Sequence, residues 1–180
     1  MTRVRLSPRT ECCMDRILGS VIQGSNDISN PNGWTTLATI SQTPAAGWNE
    51  YPIRTTTAWR YVRFLAGTNS YGELKELEFY NGNVKLTGTK FGSPGAYNND
   101  QVNYGYANAF DGLVTTSWHG HTPGPTNYAG LDLGASCATL TASVLSPANN
   151  ASVVGTASTT TTGRVTTAIS VSTCVPAGTT

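Results

Sequence analysis

Trp59-Arg60-Tyr61-Val62-Arg63-Phe64 is a short run in which aromatic and β-branched side chains are interrupted by arginines. Such a run suits a half-buried β-strand, because successive side chains point to opposite faces of a sheet. Runs of this kind, bounded by turn residues, recur at 2–6, 20–24, 35–40, 49–53, 58–65, 76–80, 128–133, 138–145 and 165–171. Regular short strands separated by Gly, Pro, Asn and Asp indicate an all-β sandwich or barrel.

Charge and hydropathy exclude several partners. Charged residues make up 12% of the 180-residue chain and the net charge is +1, so no strong field attracts nucleic acid. An anionic membrane surface is excluded on the same grounds. The chain contains no apolar run near the roughly 20 residues that a spanning helix needs, so membrane insertion is not expected.

The cysteines indicate the cellular location of the protein. None of the four has the spacing of a zinc ribbon or finger. A disulfide between Cys137 and Cys174 would close a loop of about 38 residues and stabilise the fold by about 3 to 4 kcal/mol. With the sequon Asn150-Ala151-Ser152, this pairing predicts an extracellular protein, secreted or at the cell surface. The adjacent Cys12 and Cys13 are either a strained vicinal disulfide or two thiols.

A change in composition near Cys137 predicts a domain boundary. Aromatic residues are absent after this point, and Thr, Ser, Ala and Val dominate. We therefore expect one β-sandwich over 1–135 and a Ser/Thr-rich tail over 136–180. The tail is either a linker or part of an immunoglobulin-like unit, since about 45 residues are too few for a complete one.

Six segments of the first 135 residues resemble the discoidin family, also called the coagulation-factor C-type or galactose-binding-like domain, which includes bacterial carbohydrate-binding modules. The segments are Arg5-Leu6-Ser7-Pro8-Arg9, Gln23-Gly24-Ser25-Asn26-Asp27, Trp59-Arg60-Tyr61-Val62-Arg63-Phe64, Glu76-Leu77-Glu78-Phe79-Tyr80, Ala109-Phe110-Asp111-Gly112 and Tyr128-Ala129-Gly130-Leu131-Asp132-Leu133-Gly134. The resemblance implies a jelly-roll β-sandwich.

The order of these segments differs from that of the family. Residues 1–80 resemble the second half of the family domain, and residues 86–135 resemble the first half. Either the domain is circularly permuted, with a linker near 81–90, or each half is completed by a neighbouring chain. The second alternative predicts a homo-oligomer or a filament.

The resemblance also implies a calcium site. Its ligands would be the carbonyls of Asn108, Leu113 and Lys75, the carboxylates of Asp111 and Glu76, and the hydroxyl and carbonyl of Thr116. Calcium takes six to eight oxygen ligands of these types. Leu113 departs from the Asn or Asp usual in the family, but its predicted contribution is a backbone carbonyl. A plain Asp-Gly turn at Asp111 is the alternative.

Carbohydrate-binding members of the family imply a glycan site at His119 and Arg9. Both side chains hydrogen-bond hydroxyl groups, and an aromatic ring packs on the C–H face of a sugar. Tyr71 is the predicted platform, and weaker candidates are Tyr104, Tyr106 and His121. Galactose-like sugars are candidate ligands. A surface or structural role is the alternative for His119.

The sequence predicts binding rather than catalysis. It lacks a Gly-x-Ser-x-Gly elbow, a phosphate loop and a His-Glu-x-x-His motif. The leading interpretation is a non-catalytic, lectin-like carbohydrate-binding module of a secreted or cell-surface protein, stabilised by calcium. The alternative is a structural repeat of an extracellular adhesive or filamentous assembly, with swapping between chains.

Overall fold

The protein's structure, a computed structural model, describes residues 1–134, 140–144 and 167–171. Eleven strands lie in these ranges: β1 (Arg3–Pro8), β2 (Val21–Ser25), β3 (Thr35–Thr39), β4 (Asn49–Pro52), β5 (Tyr61–Leu65), β6 (Leu74–Asn81), β7 (Val84–Lys85), β8 (Thr89–Gly92), β9 (Tyr128–Asp132), β10 (Leu140–Val144) and β11 (Thr167–Val171). The helical segments are short: α1 (Gln101–Tyr104) and 3-10 turns at Met14–Ile17, Tyr97–Asn99 and Tyr106–Phe110.

Two antiparallel sheets form the sandwich. One has the order β4-β1-β6-β7 and the other the order β3-β2-β5-β9-β8. Their apolar side chains share one core, in which Leu6, Phe79, Phe64 and Trp118 are fully buried. The predicted all-β sandwich is confirmed.

The two halves of the chain pair with each other in this sandwich. Strand β9 pairs with β5, placing Leu131 opposite Val62. An isolated bridge joins Leu74, at the start of β6, to Trp118. Residues from before and after position 81 therefore pair with one another in this sandwich.

The predicted linker over 81–90 is wrong in part, because this segment contains strand residues. It holds β7, which pairs with β6, and the start of β8, which pairs with β9. Neither strand has the aromatic and β-branched pattern used to identify the others, and Val84 is 66% exposed. Their place at the sheet edges explains this pattern, since an edge strand buries little.

The remaining strands, β10 and β11, form a separate two-stranded sheet in which Leu140 is opposite Val171. Cys137 precedes Leu140 by three positions, and Cys174 follows Val171 by three. Both cysteines lie outside the described residues, so their disulfide stays a prediction. Within the described residues, no helix has the length and apolar character needed to cross a membrane.

Candidate functional site

A pocket of about 420 Å³ opens at one end of the sandwich, within the size range of small-molecule sites. Arg9 directly follows β1, and Tyr71 stands shortly before β6, the antiparallel neighbour of β1. The pocket is lined by Arg9, Arg16, Tyr71, Tyr97, Tyr104, His119 and His121. The strands thus present residues from distant parts of the chain at the same end of the sheet.

Backbone hydrogen bonds connect the loops that carry these side chains. The amide of Gly120 donates to the carbonyl of Tyr71 over 2.6 Å. The amide of Tyr97 donates to the carbonyl of His119 over 2.9 Å, and that of His119 to Tyr104 over 3.0 Å. These bonds hold the loops that carry the lining side chains against one another.

His119 is a neutral hydrogen-bond donor in this pocket. Only 7% of the residue is exposed, and its Nδ1 lies 3.1 Å from Nη1 of Arg9. Because a guanidinium only donates, Nδ1 accepts and the ring proton is on Nε2. Burial, together with the charges of Arg9 and Arg16, lowers the pKa of His119 to about 4.

Tyrosine rings surround the imidazole of His119. Tyr97 stacks on it with ring centroids 4.8 Å apart and planes 3° apart. Tyr71 and Tyr104 meet it edge-on, at centroid distances of 5.1 and 6.3 Å. Tyr97 is 43% exposed, so this ring offers an accessible aromatic surface beside the pocket.

Arg16 reaches the same pocket from the 3-10 turn that follows the cysteine pair. Its Nη1 lies 3.2 Å from Oε1 of Glu73, and its Cζ lies 5.6 Å from the Tyr71 ring centroid. Burial raises the pKa of Glu73, an effect that Arg16 opposes. The buried carboxyl group anchors Arg16 at the pocket wall.

The structure brings together Arg9, Tyr71 and His119, as well as the weaker candidates Tyr104 and His121. Tyr106 does not line the pocket and packs against the core. Sequence reasoning missed Arg16 and Tyr97. Neither residue belongs to a recognisable motif, and only the folded chain places them beside His119.

Four of the predicted ligands of the cation site, Glu76, Asp111, Leu113 and Thr116, also meet. Glu76 is 1% exposed, and its Oε1 accepts hydrogen bonds from the amides of Gly112 at 2.6 Å and Leu113 at 3.0 Å. Its Oε2 is buried without a hydrogen-bond partner. Burial, together with the neighbouring Asp111 carboxyl, raises the pKa of Glu76 to about 7.

Asp111 and Thr116 complete the oxygen-rich part of this site. The hydroxyl of Thr116 lies 2.7 Å from Oδ2 of Asp111 and 2.8 Å from the carbonyl of Leu113. The side chain of Lys75 pairs with Glu11. The predicted ligand is the backbone carbonyl of Lys75, and its role stays a prediction. Asn108 also uses its side chain elsewhere, as a donor to the carbonyl of Asn103.

Two carboxylates close together, one of them holding an unpartnered buried oxygen, suit a cation with oxygen ligands. Histidine, cysteine and acidic side chains form no cluster of three or more within the described residues. A cation at this site would therefore draw its remaining ligands from carbonyl and hydroxyl groups. That donor chemistry fits calcium.

Cys12 and Cys13 are free thiols in the loop that carries Arg9. The Sγ of Cys12 accepts a hydrogen bond from Nη2 of Arg9 at 2.6 Å. Contacts with Cys13 and Arg9 lower the pKa of the Cys12 thiol.

Comparison with known proteins assigns no family. No family model matches the chain, and no curated protein matches it. A solved structure of CBM62 from Clostridium thermocellum Xyl5A is 30% identical over 45% of this chain, with a TM-score of 0.42. The match spans 58% of that chain's length, and at this TM-score it assigns neither fold nor function.

Proposed function

We propose that the protein is a non-catalytic carbohydrate-binding module of a secreted or cell-surface protein. The observation that carries the proposal is the convergence of Arg9, Tyr71 and His119 in one pocket. Arg9 and His119 are 110 positions apart in the chain, yet their side chains are 3.1 Å apart. Two further tyrosines and a second arginine join them.

The chemistry of the pocket matches that of a sugar. The Nε2–H of His119, the guanidinium groups and the tyrosine hydroxyls supply hydrogen-bond donors for hydroxyl groups. The tyrosine rings supply apolar surfaces for the C–H face of a pyranose. Tyrosine side chains, with two rotatable bonds each, also lose little conformational entropy on binding.

Binding is a better explanation of this pocket than hydrolysis. Glycoside hydrolysis commonly uses two carboxyl groups that flank the bond to be broken. The lining residues contain no carboxylate. Glu73 is buried behind Arg16 and is 2% exposed.

Isothermal titration of the chain with a panel of simple glycosides, including galactosides, tests the proposal. His119→Ala and Arg9→Ala are each expected to weaken binding by about tenfold or more, since each removes donors from a part-buried site. Arg54→Ala is the matched control, because Arg54 is exposed and does not line the pocket. Retained binding in both pocket variants, with their folds verified by circular dichroism, would rule out this site.

We further propose that calcium occupies the site formed by Glu76, Asp111 and Thr116. The unpartnered Oε2 of Glu76 and the adjacent Asp111 carboxyl support this assignment. The carbonyls of Leu113, Asn108 and Lys75 are candidate ligands. Calcium would compensate the repulsion between the two carboxylates and hold the loop at Asp111 against the start of β6.

We also propose that the domain is a circularly permuted discoidin-type jelly roll over 1–135. The pairing of β9 with β5 supports permutation over swapping, because the two halves close within one chain. The proposal of an extracellular location rests on the predicted disulfide and on the sugar chemistry of the pocket.

A further inference from the structure

Two arginines line the pocket, and no carboxylate lines it with them. Arg9 directs Nη1 at the imidazole of His119 and Nη2 at the thiol of Cys12. Its Nε is buried without a hydrogen-bond partner. No carboxylate of the described residues forms an ion pair with this guanidinium.

Two other arginines of the sandwich, Arg5 and Arg60, form ion pairs with carboxylates. Arg5 pairs with Glu50 at 3.1 Å, and Arg60 pairs with Asp132 at 2.9 Å. Arg9 has only a neutral imidazole and a thiol as partners, although it is half-buried. A part-buried charge without a counter-ion is unfavourable, so the pocket favours an incoming anion.

Arg16 provides a second and more accessible cation. Its side chain is 41% exposed and hydrogen-bonds Glu73 through Nη1. Its Nε and Nη2 make no hydrogen bond within the described part of the chain. Guanidinium groups match the planar fork of a carboxylate, with two parallel hydrogen bonds.

We propose that the pocket selects acidic sugars, such as uronic acids, over the neutral sugars of the same configuration. This inference rests on the proposed carbohydrate-binding function and names its ligand class. The sugar hydroxyls contact His119 and the tyrosines, while the carboxylate supplies the counter-charge for Arg9 and Arg16. Glu73 forms its ion pair with Arg16, so the carboxylate of the ligand supplies the counter-charge that Arg9 lacks.

Titration of the full chain with matched pairs of methyl glycosides tests this selection. Each pair consists of a uronate and its neutral parent, in the galactose and the glucose series. In at least one series the uronate is expected to bind about tenfold or more tightly than its parent, because a hydrogen-bonded charge adds to the affinity. Raising the sodium chloride concentration is expected to weaken uronate binding more than binding of the neutral sugar.

The double variant Arg16→Gln, Glu73→Gln removes the accessible cation without leaving a buried carboxyl group unpaired. Its preference for the uronate, as a ratio of the two affinities, is expected to fall about tenfold. Arg54→Gln, which changes an exposed arginine outside the pocket, should keep the preference of the unchanged protein.

The outcomes separate this inference from the function on which it rests. Binding of the neutral sugars as tightly as the uronates would overturn the acidic selectivity and leave the glycan-binding proposal standing. Failure of every glycoside to bind would overturn both. Sodium acetate or sulfate that binds as tightly as the uronates would also overturn the inference, since it would show an anion site without sugar recognition.

Discussion

His119 is held between Arg9 and three tyrosines, and this environment determines its protonation. Burial and the two arginine charges all disfavour the imidazolium form, which lowers the pKa to about 4. The unfolded chain would titrate at about 6.5. Stability contributed by the neutral ring is therefore present above about pH 6.5 and is lost as the pH falls toward 4.

NMR titration of the His119 ring tests this assignment. The pKa is expected near 4 in the unchanged protein and higher in Arg9→Gln, because one nearby positive charge has been removed. A His121→Gln variant assigns the two sets of ring signals. A pKa of about 6.5 for His119 would show that the ring is not enclosed as described.

The pKa shift of Glu76 is opposite in sign to that of His119, because the pKa of Glu76 is raised from 4.5 to about 7. Without a cation, the folded protein binds more protons than the unfolded chain between these two values. The free energy of unfolding is therefore expected to decrease as the pH rises through this window. The proposed calcium ion would favour the ionised carboxylate, so its stabilising effect is expected to grow over the same window.

Thermal melting with calcium and with a chelator, at about pH 5 and about pH 8, measures this dependence. The calcium-induced rise in Tm is expected to be larger at the higher pH and to be absent in Glu76→Gln. Glu50→Gln is a control, since its side chain is 57% exposed and contributes little. An unchanged Tm across a wide calcium range would exclude the cation site.

Some residues of the two sites could be predicted from the sequence, and others could not. Asp111 and Glu76 were identifiable because each lies in a motif that can be compared with a family. The burial of His119 could not be identified from the sequence, because it depends on which loops fold over the ring. Tyr97 covers that ring from a Gly- and Asn-rich segment whose path the sequence pattern does not determine.

The loop that leads into β6 depends on a glycine. Gly72 has a φ of +96°, and a Cβ at this position would lie 2.8 Å from ring atoms of the fully buried Trp118. The adjacent Tyr71 lines the pocket. The left-handed backbone and the close approach to Trp118 both require the absence of a side chain.

Gly72→Ala is therefore expected to be more destabilising than Gly82→Ala. Gly82 has a φ of +58° with open space around it, so its alanine variant should lose only about 1 to 2 kcal/mol from backbone strain. Overpacking against Trp118 should add about 1 to 3 kcal/mol at Gly72. Urea unfolding compares the two variants, and equal losses would contradict the packing described at Trp118.

At the level of elements, the nine strands predicted from the sequence are present in the described residues. Strands β5 and β9 are clear examples, since each carries at least one aromatic residue and buries three of its five residues. The strands that were missed, β7 and β8, have two and four residues. Such short segments at a sheet edge carry too little periodicity to be distinguished from a loop.

The whole molecule allows a direct test of the predicted boundary near residue 135. Neither β10 nor β11 pairs with a strand of the sandwich among the described residues. A chain ending at residue 135 is expected to remain monomeric, to melt within a few degrees of the full chain and to keep its affinity for sugar. Size exclusion, circular dichroism and titration provide these three readouts.

Large assemblies of the full chain, or loss of structure on shortening, would favour the alternative of a structural repeat completed by neighbouring copies. The resemblance of the two halves to known segments predicted their content. It did not determine whether the two halves pair within one chain or between two chains, because a permuted domain and a swapped pair use the same strand contacts.

The position of β9 has a consequence for biosynthesis. This strand lies inside the five-stranded sheet, between β5 and β8, although it is the last strand of the sandwich in chain order. While the ribosome is still adding residues before Tyr128, both neighbours lack their shared partner and expose unpaired backbone groups. The nascent chain therefore cannot complete this sheet until its second half has been synthesised, and folding is delayed to that point.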